Sequence, residues 1–169
     1  MSSRLSKKFQ PGRGPVAALL VLLISGCGFH LRGAATAPPE MERTYISADS
    51  SYTVFYRKIK SAFRAAGVQV VDSPDEATAI FTILGDSTGQ RVVSVSARNV
   101  PREYEVWYTV QYELTSNDAI LMPATTQTLS RDYTYDETEV LGKAREEEIL
   151  RDALVDDLVR IALIQISAL

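Results

Sequence analysis

Residues 103–114 read EYEVWYTVQYEL. Every second residue from Tyr104 to Leu114 is Tyr, Val or Leu, and the residues between them are mostly polar. Successive side chains of a strand point to opposite sides of a sheet, so this alternation predicts a long β-strand with one apolar and one largely polar face. We therefore expect a sheet that is buried on one side.

The segment before this strand predicts a second long strand. Residues 79–95 are rich in Ile, Val, Thr and Phe, and the glycines at positions 85 and 89 are expected to mark a bulge or bend. Residues 91–101 are predicted to turn the chain, with Asn99 and Pro101 as turn residues.

The segment after it predicts a hairpin and a third long strand. Ser116-Asn117-Asp118 has the composition of a tight turn, and residues 120–135 follow as a strand. Met122-Pro123 indicates an irregular start or a sheet edge, because proline cannot donate a hydrogen bond to a ladder.

Two amphipathic helices are predicted on either side of these strands. Apolar residues between Tyr52 and Ala66 recur at helical spacing, with Ser50 or Ser51 as the expected N-cap and Gly67 as the stop. Short strands at 43–47 and 68–71 flank this helix, a pattern typical of a parallel pair joined by a crossover. The opposite helix face carries Arg57, Lys58, Lys60 and Arg64, which could meet phosphate but is more simply a solvated face.

The second helix is predicted after the acidic connector 136–139. Glu146, Glu147 and Glu148 suit its amino end, and apolar residues recur from Ile149 onwards. Residues 161–169 are apolar almost all round and are expected to be buried or docked. The predicted fold class is α+β, a two-layer sandwich with two helices on one face of a four- to five-stranded, mostly antiparallel sheet.

Composition excludes several classes of function. The chain has 169 residues and a net charge of −3, a size typical of one domain and a charge unsuited to binding nucleic acid. It has one Cys and one His, too few for an intramolecular disulfide or a zinc site of the Cys/His type. We expect no cofactor and no metal.

The amino terminus differs in character from the rest. Residues 1–26 contain four cations and no acid, whereas the remainder holds 14 cations against 21 anions, a net charge of −7. The apolar run 16–24 is too short to span a bilayer but has the length of a secretory signal. Ile24-Ser25-Gly26-Cys27 resembles the lipobox of bacterial lipoproteins, which implies diacylglycerol attachment at Cys27, and Gly28 in place of Asp favours the outer membrane. A free Cys27 behind an ordinary signal peptide is the alternative.

Residues 27–33, CGFHLRG, closely resemble the mature amino terminus of the LPS-assembly lipoprotein family, LptE. The resemblance implies a small sandwich of two helices on a sheet. It also implies that His30 belongs to the amino-terminal segment of the mature protein and is not a catalytic base. Three regions follow: a cleaved signal peptide (1–26), a lipidated tether and linker (27–42), and one LptE-like domain (43–169).

The resemblance also implies a function. LptE pairs with the outer-membrane β-barrel LptD, sits largely inside it as a plug, and helps deliver lipopolysaccharide to the outer leaflet. It acts from the periplasmic side and is not an enzyme. The Thr-, Gln- and Ser-rich strand faces would suit the polar lumen of a barrel.

Candidate lipopolysaccharide contacts come from the family and from charge. Basic residues between the long strands and ahead of the last helix are associated with lipopolysaccharide in the family, and by order these are Arg98 and Lys143. Arg91 and Arg102 lie near Arg98 around the predicted turn, where cations could meet phosphorylated sugars. The alternative is that these arginines only keep a hairpin soluble.

Two other functions remain as alternatives. A lipid-anchored periplasmic hydrolase would need a pair of carboxylates, such as Glu103 with Glu105 or Asp156 with Asp157. The first pair has strand spacing and is expected on a solvated face, and the second is expected on a helix surface. A structural lipoprotein of another outer-membrane assembly machine is the other alternative.

Overall fold

The structure, a computed structural model, describes residues 37–134 and 140–169, and side chains over 37–134 and 145–169. The described residues belong to one compact unit, Ala34–Leu169. Among them, no helix is both long enough and apolar enough to cross a membrane. The principal elements in chain order are β1 (Arg43–Ala48), α1 (Val54–Ala65), β2 (Gln69–Val71), β3 (Ala79–Val95), β4 (Pro101–Ser116), β5 (Ala119–Thr134) and α2 (Val140–Ile166).

The strands form one five-stranded sheet in the order β2-β1-β3-β4-β5. β1 pairs in parallel with β2, as the strand-helix-strand pattern predicts, and also in parallel with β3. The β3–β4 and β4–β5 pairs are antiparallel. The predicted α+β sandwich is confirmed, with the first strand fully integrated.

The core lies between the helices and one face of the sheet. The alternation in β4 is confirmed, since Val106, Val110, Tyr112 and Leu114 are fully buried. The Tyr112 ring lies 5.4 Å from that of Phe81 and 6.2 Å from that of Phe55, centroid to centroid. Aromatic contacts therefore join α1 to the two central strands. Helix residues in the same core are Phe55, Ile59 and Phe63 of α1 and Leu154, Val155, Leu158, Val159, Ala162 and Ile166 of α2.

α1 begins later than the serines suggested. Thr53 is extended and its hydroxyl accepts a hydrogen bond from the backbone N–H of Tyr56 at 3.2 Å, so Thr53 is the N-cap and the prediction of Ser50 or Ser51 is wrong. Ser50 Oγ instead accepts from the N–H of Tyr52 in the turn before the helix. Gly67 follows the helix end with a φ of 87°, as expected for a glycine stop.

The two hairpin turns differ in how well they were predicted. Asn117 and Asp118 have φ values of 47° and 64°, and form the predicted tight turn between β4 and β5. The turn between β3 and β4 is confined to residues 96–100, closed by the N–H of Ser96 donating to the carbonyl of Val100 at 2.7 Å. The prediction of a turn over 91–101 is therefore too wide, because residues 91–95 still pair with β4 and Pro101 begins that strand.

The three long strands continue past the rest of the sheet. β1 pairs with β3 only as far as Ile83, and beyond it β3 pairs with β4 alone. We call residues 85–95, 101–111 and 126–134 the distal extension. It is a three-stranded antiparallel sheet that ends at the turn 96–100.

α2 begins at Val140, before the glutamates that were expected at its amino end. One side of its last turns is buried, through Ala162 and Ile166, whereas Ile164 is 41% exposed and Leu169 is 57% exposed. Full burial of residues 161–169 within the domain is therefore wrong, since the helix packs on the sheet with one side only, and docking of the exposed side on another chain stays a prediction.

Candidate functional site

The sheet face opposite the helices is mostly polar in the distal extension. On β4 it presents the residues that alternate with the core, and on β5 it presents Thr and Ser side chains that are exposed. The hydroxyl groups of Thr109 and Thr128 form a hydrogen bond across the β4–β5 pair, with an Oγ1–Oγ1 distance of 2.8 Å. We call this surface the bare face. In the distal extension it comprises Ser87, Gly89, Arg91, Glu103, Glu105, Trp107, Thr109, Gln111, Thr126, Thr128, Ser130, Asp132 and Thr134.

Arg91 and Glu105 form a cross-strand ion pair on the bare face. They are directly opposite each other in the β3–β4 register, and Nε of Arg91 contacts Oε2 of Glu105. The side chain of Arg91 is 70% exposed, but the side chain of Glu105 is only 14% exposed. A hydrogen bond from Ser130 and the charge and hydrogen bond of Arg91 hold the pKa of Glu105 below its usual range. Glu105 is thus not the freely solvated carboxylate that the alternation suggested.

Trp107 lies against Gly89 on the same face. A Cβ placed on Gly89 would be 2.9 Å from Cζ2 of Trp107, closer than side chains tolerate. The β3–β4 register runs unbroken through this pair, whereas it shifts between Ile83 and Gly85. The predicted bulge is therefore confirmed at Gly85 and wrong at Gly89, where glycine makes room for the indole.

The tip of the distal extension carries two exposed arginines. Arg98 lies in the turn 96–100 and Arg102 near the start of β4. No ion pair with either arginine is found over residues 37–134 and 145–169. Nearby, Val93 and Val95 are 53% and 52% exposed.

The structure separates the predicted basic residues into two groups. Arg91 is bound to Glu105, whereas Arg98 and Arg102 lie at the tip. Because side chains alternate along a strand, Arg102 points to the side of the sheet away from the bare face that carries Glu103. Lys143 lies near the start of α2, and its side chain is outside the described residues. Cys27 and His30 also lie outside the described residues.

The basic face of α1 is largely used inside the domain. Lys58 Nζ lies 2.9 Å from Asp152 and 2.7 Å from Asp156, which joins α1 to α2. Partial burial acts to lower the pKa of Lys58, but hydrogen bonds to Asp156 and Asp152 raise it on balance. Arg57 donates to the carbonyl of Tyr52 at 3.1 Å. Lys58 thus joins the two helices, whereas Arg57 and Arg64 remain exposed on this face.

The candidate catalytic carboxylates are each bound to a different partner. Asp156 pairs with Lys58, while Asp157 pairs with Arg131 at 2.7 Å and with Arg160. Glu103 accepts a hydrogen bond from Ser94 at 2.7 Å. Over residues 37–134 and 145–169, no group of acids, histidines or cysteines is arranged to hold a metal ion. The arrangement favours a structural use for both carboxylate pairs.

A family model described as LptE, lipopolysaccharide-assembly, matches residues 41–166, which include both helices and all five strands. The chain belongs to the LptE family. It is 30% identical to the LPS-assembly lipoprotein LptE of Yersinia enterocolitica over 82% of this chain and 67% of that protein. With the LPS-assembly lipoprotein LptE of Photorhabdus laumondii it shares 24% identity over 84% of this chain and 78% of that protein.

Solved structures share the LptE-family fold. The lipoprotein B of Nitrosomonas europaea superposes with a TM-score of 0.71 at 29% identity, covering 83% of this chain and 91% of that one. The rare lipoprotein B of Shewanella oneidensis superposes with a TM-score of 0.65 at 21% identity, covering 75% and 93%. The second likeness concerns the fold alone.

Sequence reasoning missed two features of the site. The Arg91–Glu105 pair was hidden by the misplaced turn, since a turn at 96–100 would have set these residues opposite each other. The packing of Trp107 on Gly89 follows from the same register and was missed for the same reason.

Proposed function

We propose that this chain is an outer-membrane lipoprotein that binds the LptD β-barrel, occupies its lumen as a plug and assists lipopolysaccharide assembly at the outer leaflet. Family membership and the names of the Yersinia and Photorhabdus relatives support a role in lipopolysaccharide assembly. The observation that carries the plug is the bare face, which neither helix covers and which is rich in hydroxyl groups in the distal extension. Such a surface suits the interior of a barrel, which is polar, whereas an apolar surface suits the side that faces lipid.

The amino terminus supplies the anchor in this proposal. Residues 1–26 are a cleaved signal, Cys27 carries the acyl chains, and residues 27–42 tether the domain of residues 43–169 on the periplasmic side. More than one acyl chain on Cys27 gives a durable attachment, because each buried methylene contributes about 0.8 kcal/mol.

Lipopolysaccharide is proposed to meet the tip of the distal extension. Arg98 and Arg102 are exposed there and can bind phosphate groups, while Val93 and Val95 offer apolar surface to acyl chains. Lys143 is a further candidate. Arg91 is also a candidate, but because it is paired with Glu105 it is the least available of these residues for binding a phosphate group.

Co-purification tests the plug. Gln111 and Thr126 are opposite each other in the β4–β5 register, and changing both to Arg places two bulky cations on the bare face. The matched control changes Ser61 and Ala65, exposed on α1, to Arg. In mild detergent, much less of the barrel should co-purify with the full-length chain that carries the Gln111 and Thr126 substitutions than with the chain that carries the Ser61 and Ala65 substitutions. Equal recovery would contradict docking through the bare face, and mass spectrometry of the barrel distinguishes LptD from another assembly machine.

A further inference from the structure

Within the described residues, the two outer strands and the part of β3 beyond the end of β1 have open edges, and these edges differ in how they are protected. β2 is one outer edge and has only three residues. The second stretch is the part of β3 beyond Ile83, where β1 has ended. It contains two glycines and three register shifts, and bulges of this kind discourage further pairing.

β5 is the third edge and is far longer, with 16 residues. Its proximal end is protected, because Pro123 lies at a register shift where the pairing moves from Tyr112–Thr125 to Leu114–Met122. Residues 125–134 then pair with β4 without a shift and contain no Pro, Gly or Lys. Arg131 and Asp132 are charged, whereas residues 125–130 carry no charge. Most of the devices that natural proteins use to block an edge are thus missing from residues 125–130.

The outer side of residues 125–130 offers unpaired backbone groups. Within the described parts of the chain, β4 is the only strand paired with β5, and no turn or loop backbone hydrogen-bonds to residues 125–130. The side chains of residues 125–130 are neutral, and those on the bare face, Thr126, Thr128 and Ser130, are small, so they leave room for a neighbouring backbone. An alternating row of N–H and C=O groups is complementary to an extended peptide and not to a sugar or an acyl chain.

We propose that residues 125–130 of β5 bind an extended segment of the barrel partner as an added sixth strand. The inference rests on the proposed function for the identity of the partner and goes beyond it in the mode of contact. The wall strands of a closed barrel have no free edge, so the added strand comes from a loop or terminal segment of the partner that folds into the lumen. Backbone pairing then fixes the orientation of the domain, while the bare face contributes side-chain contacts.

Photo-crosslinking in cells separates edge pairing from face docking. A photoreactive residue is placed in the full-length chain at Thr126, Gln127 or Thr128, one at a time, with Ser87 and Thr88 on β3 as controls. A strand added at the edge runs beside both faces, so all three β5 positions should link to the same short peptide of the barrel protein and the β3 positions should not. Links from 126 and 128 without 127 would overturn the inference and leave the plug intact.

The other outcomes are equally decisive. If no position links to a barrel, both the inference and the proposed function fail. If β5 links to a second copy of this chain, the edge serves self-association and the inference is overturned.

Proline substitution tests the backbone itself. The N–H groups of neighbouring strand residues point to opposite sides, so of Thr126→Pro and Gln127→Pro one removes a donor to β4 and the other removes only an outward donor. The variant that keeps the parent melting temperature is the outward one, and its barrel complex should be about three- to tenfold weaker, as expected for one lost hydrogen bond. Parent-like affinity in that variant would overturn the inference, even if the other variant fails to fold.

Discussion

Arg131 of β5 lies 2.7 Å from Asp157 of α2, measured from Nη2 to Oδ2. The pair joins the outermost strand of the distal extension to the helix that packs on it. Asp157 also contacts Arg160 one helical turn on, so one carboxylate holds two guanidinium groups. The hydrogen bond from Arg131 is the main reason that the pKa of Asp157 is below its ordinary value of 3.8.

This ion pair predicts a pH-dependent loss of stability in Asp157→Asn. A carboxyl group with a lowered pKa in the folded state stabilises the fold above its unfolded pKa and loses that contribution as the pH falls. The variant should therefore be less stable than the parent at pH 7, by about 1 kcal/mol or less because the pair is partly exposed, and the difference should shrink as the pH falls below 3.8. Thermal melts from pH 2 to 7 measure this, and a difference that is the same at pH 2 as at pH 7 would rule out the ionic cause.

Gly89→Ala should displace the indole of Trp107. The new Cβ would lie 2.9 Å from Cζ2, so the ring must move, at a cost of about 1–3 kcal/mol in the free energy of unfolding. Trp107 is the only tryptophan of the chain, so its emission spectrum reports the displacement directly. Gly85→Ala is the matched control, because nothing lies within 4 Å of the position that its new Cβ would take. Equal effects of the two substitutions would contradict the packing role of Gly89.

Charge reversal at the tip should weaken lipopolysaccharide binding. We expect Arg98→Glu combined with Arg102→Glu to reduce the affinity of the full-length chain about tenfold or more, since charge-assisted hydrogen bonds to phosphate are lost. The control, Arg57→Glu with Arg64→Glu, makes the same change in net charge on α1. If both double variants lose affinity equally, binding depends on overall charge and not on the tip.

Tyr112→Phe should alter stability at high pH. Tyr112 is fully buried and donates a hydrogen bond to Oε1 of Gln165 at 2.8 Å, and burial raises its pKa from 10.0 to about 12. A raised pKa means that the neutral phenol is favoured in the folded state, so its contribution is present below pH 10 and is lost as the pH rises toward 12. The parent should lose about 2 kcal/mol more than the Phe variant across this window. At pH 7 the variant should be less stable by about 1 kcal/mol.

The comparison of these two proteins is best made by urea unfolding at pH 7, 10 and 11.5. Parallel loss of stability in parent and variant above pH 10 would show that Tyr112 does not titrate in the unfolding transition.

Local periodicity predicted much of this fold correctly, and pairing between distant segments was harder to predict. The two-residue period of β4 identifies its buried face, since each side chain's direction depends only on its neighbours. The position of β1 between β2 and β3 depends on contacts between residues such as Thr44 and Ala79, far apart in the sequence. No local pattern in β1 specifies which strand becomes its second neighbour.

The candidate site shows the same division. Arg98 and Arg102 are exposed at a hairpin tip, as their place in a turn suggested, whereas the state of Arg91 depends on register. A turn placed five residues too early leaves Arg91 in a loop, and the correct turn puts it opposite Glu105. Because side chains alternate along a strand, an error in the turn changes the neighbours of every residue in the hairpin.

The interior position of β1 has a mechanical consequence. The chain enters the sheet at Arg43, whose carbonyl accepts from the N–H of Thr78 at 2.7 Å, while the carbonyl of Glu42 accepts from the N–H of Gln69 at 2.9 Å. A pull on the residues ahead of Arg43 would load a strand that is held by hydrogen bonds on both sides. The domain would resist such a force in shear across two ladders at once, instead of peeling open from an edge.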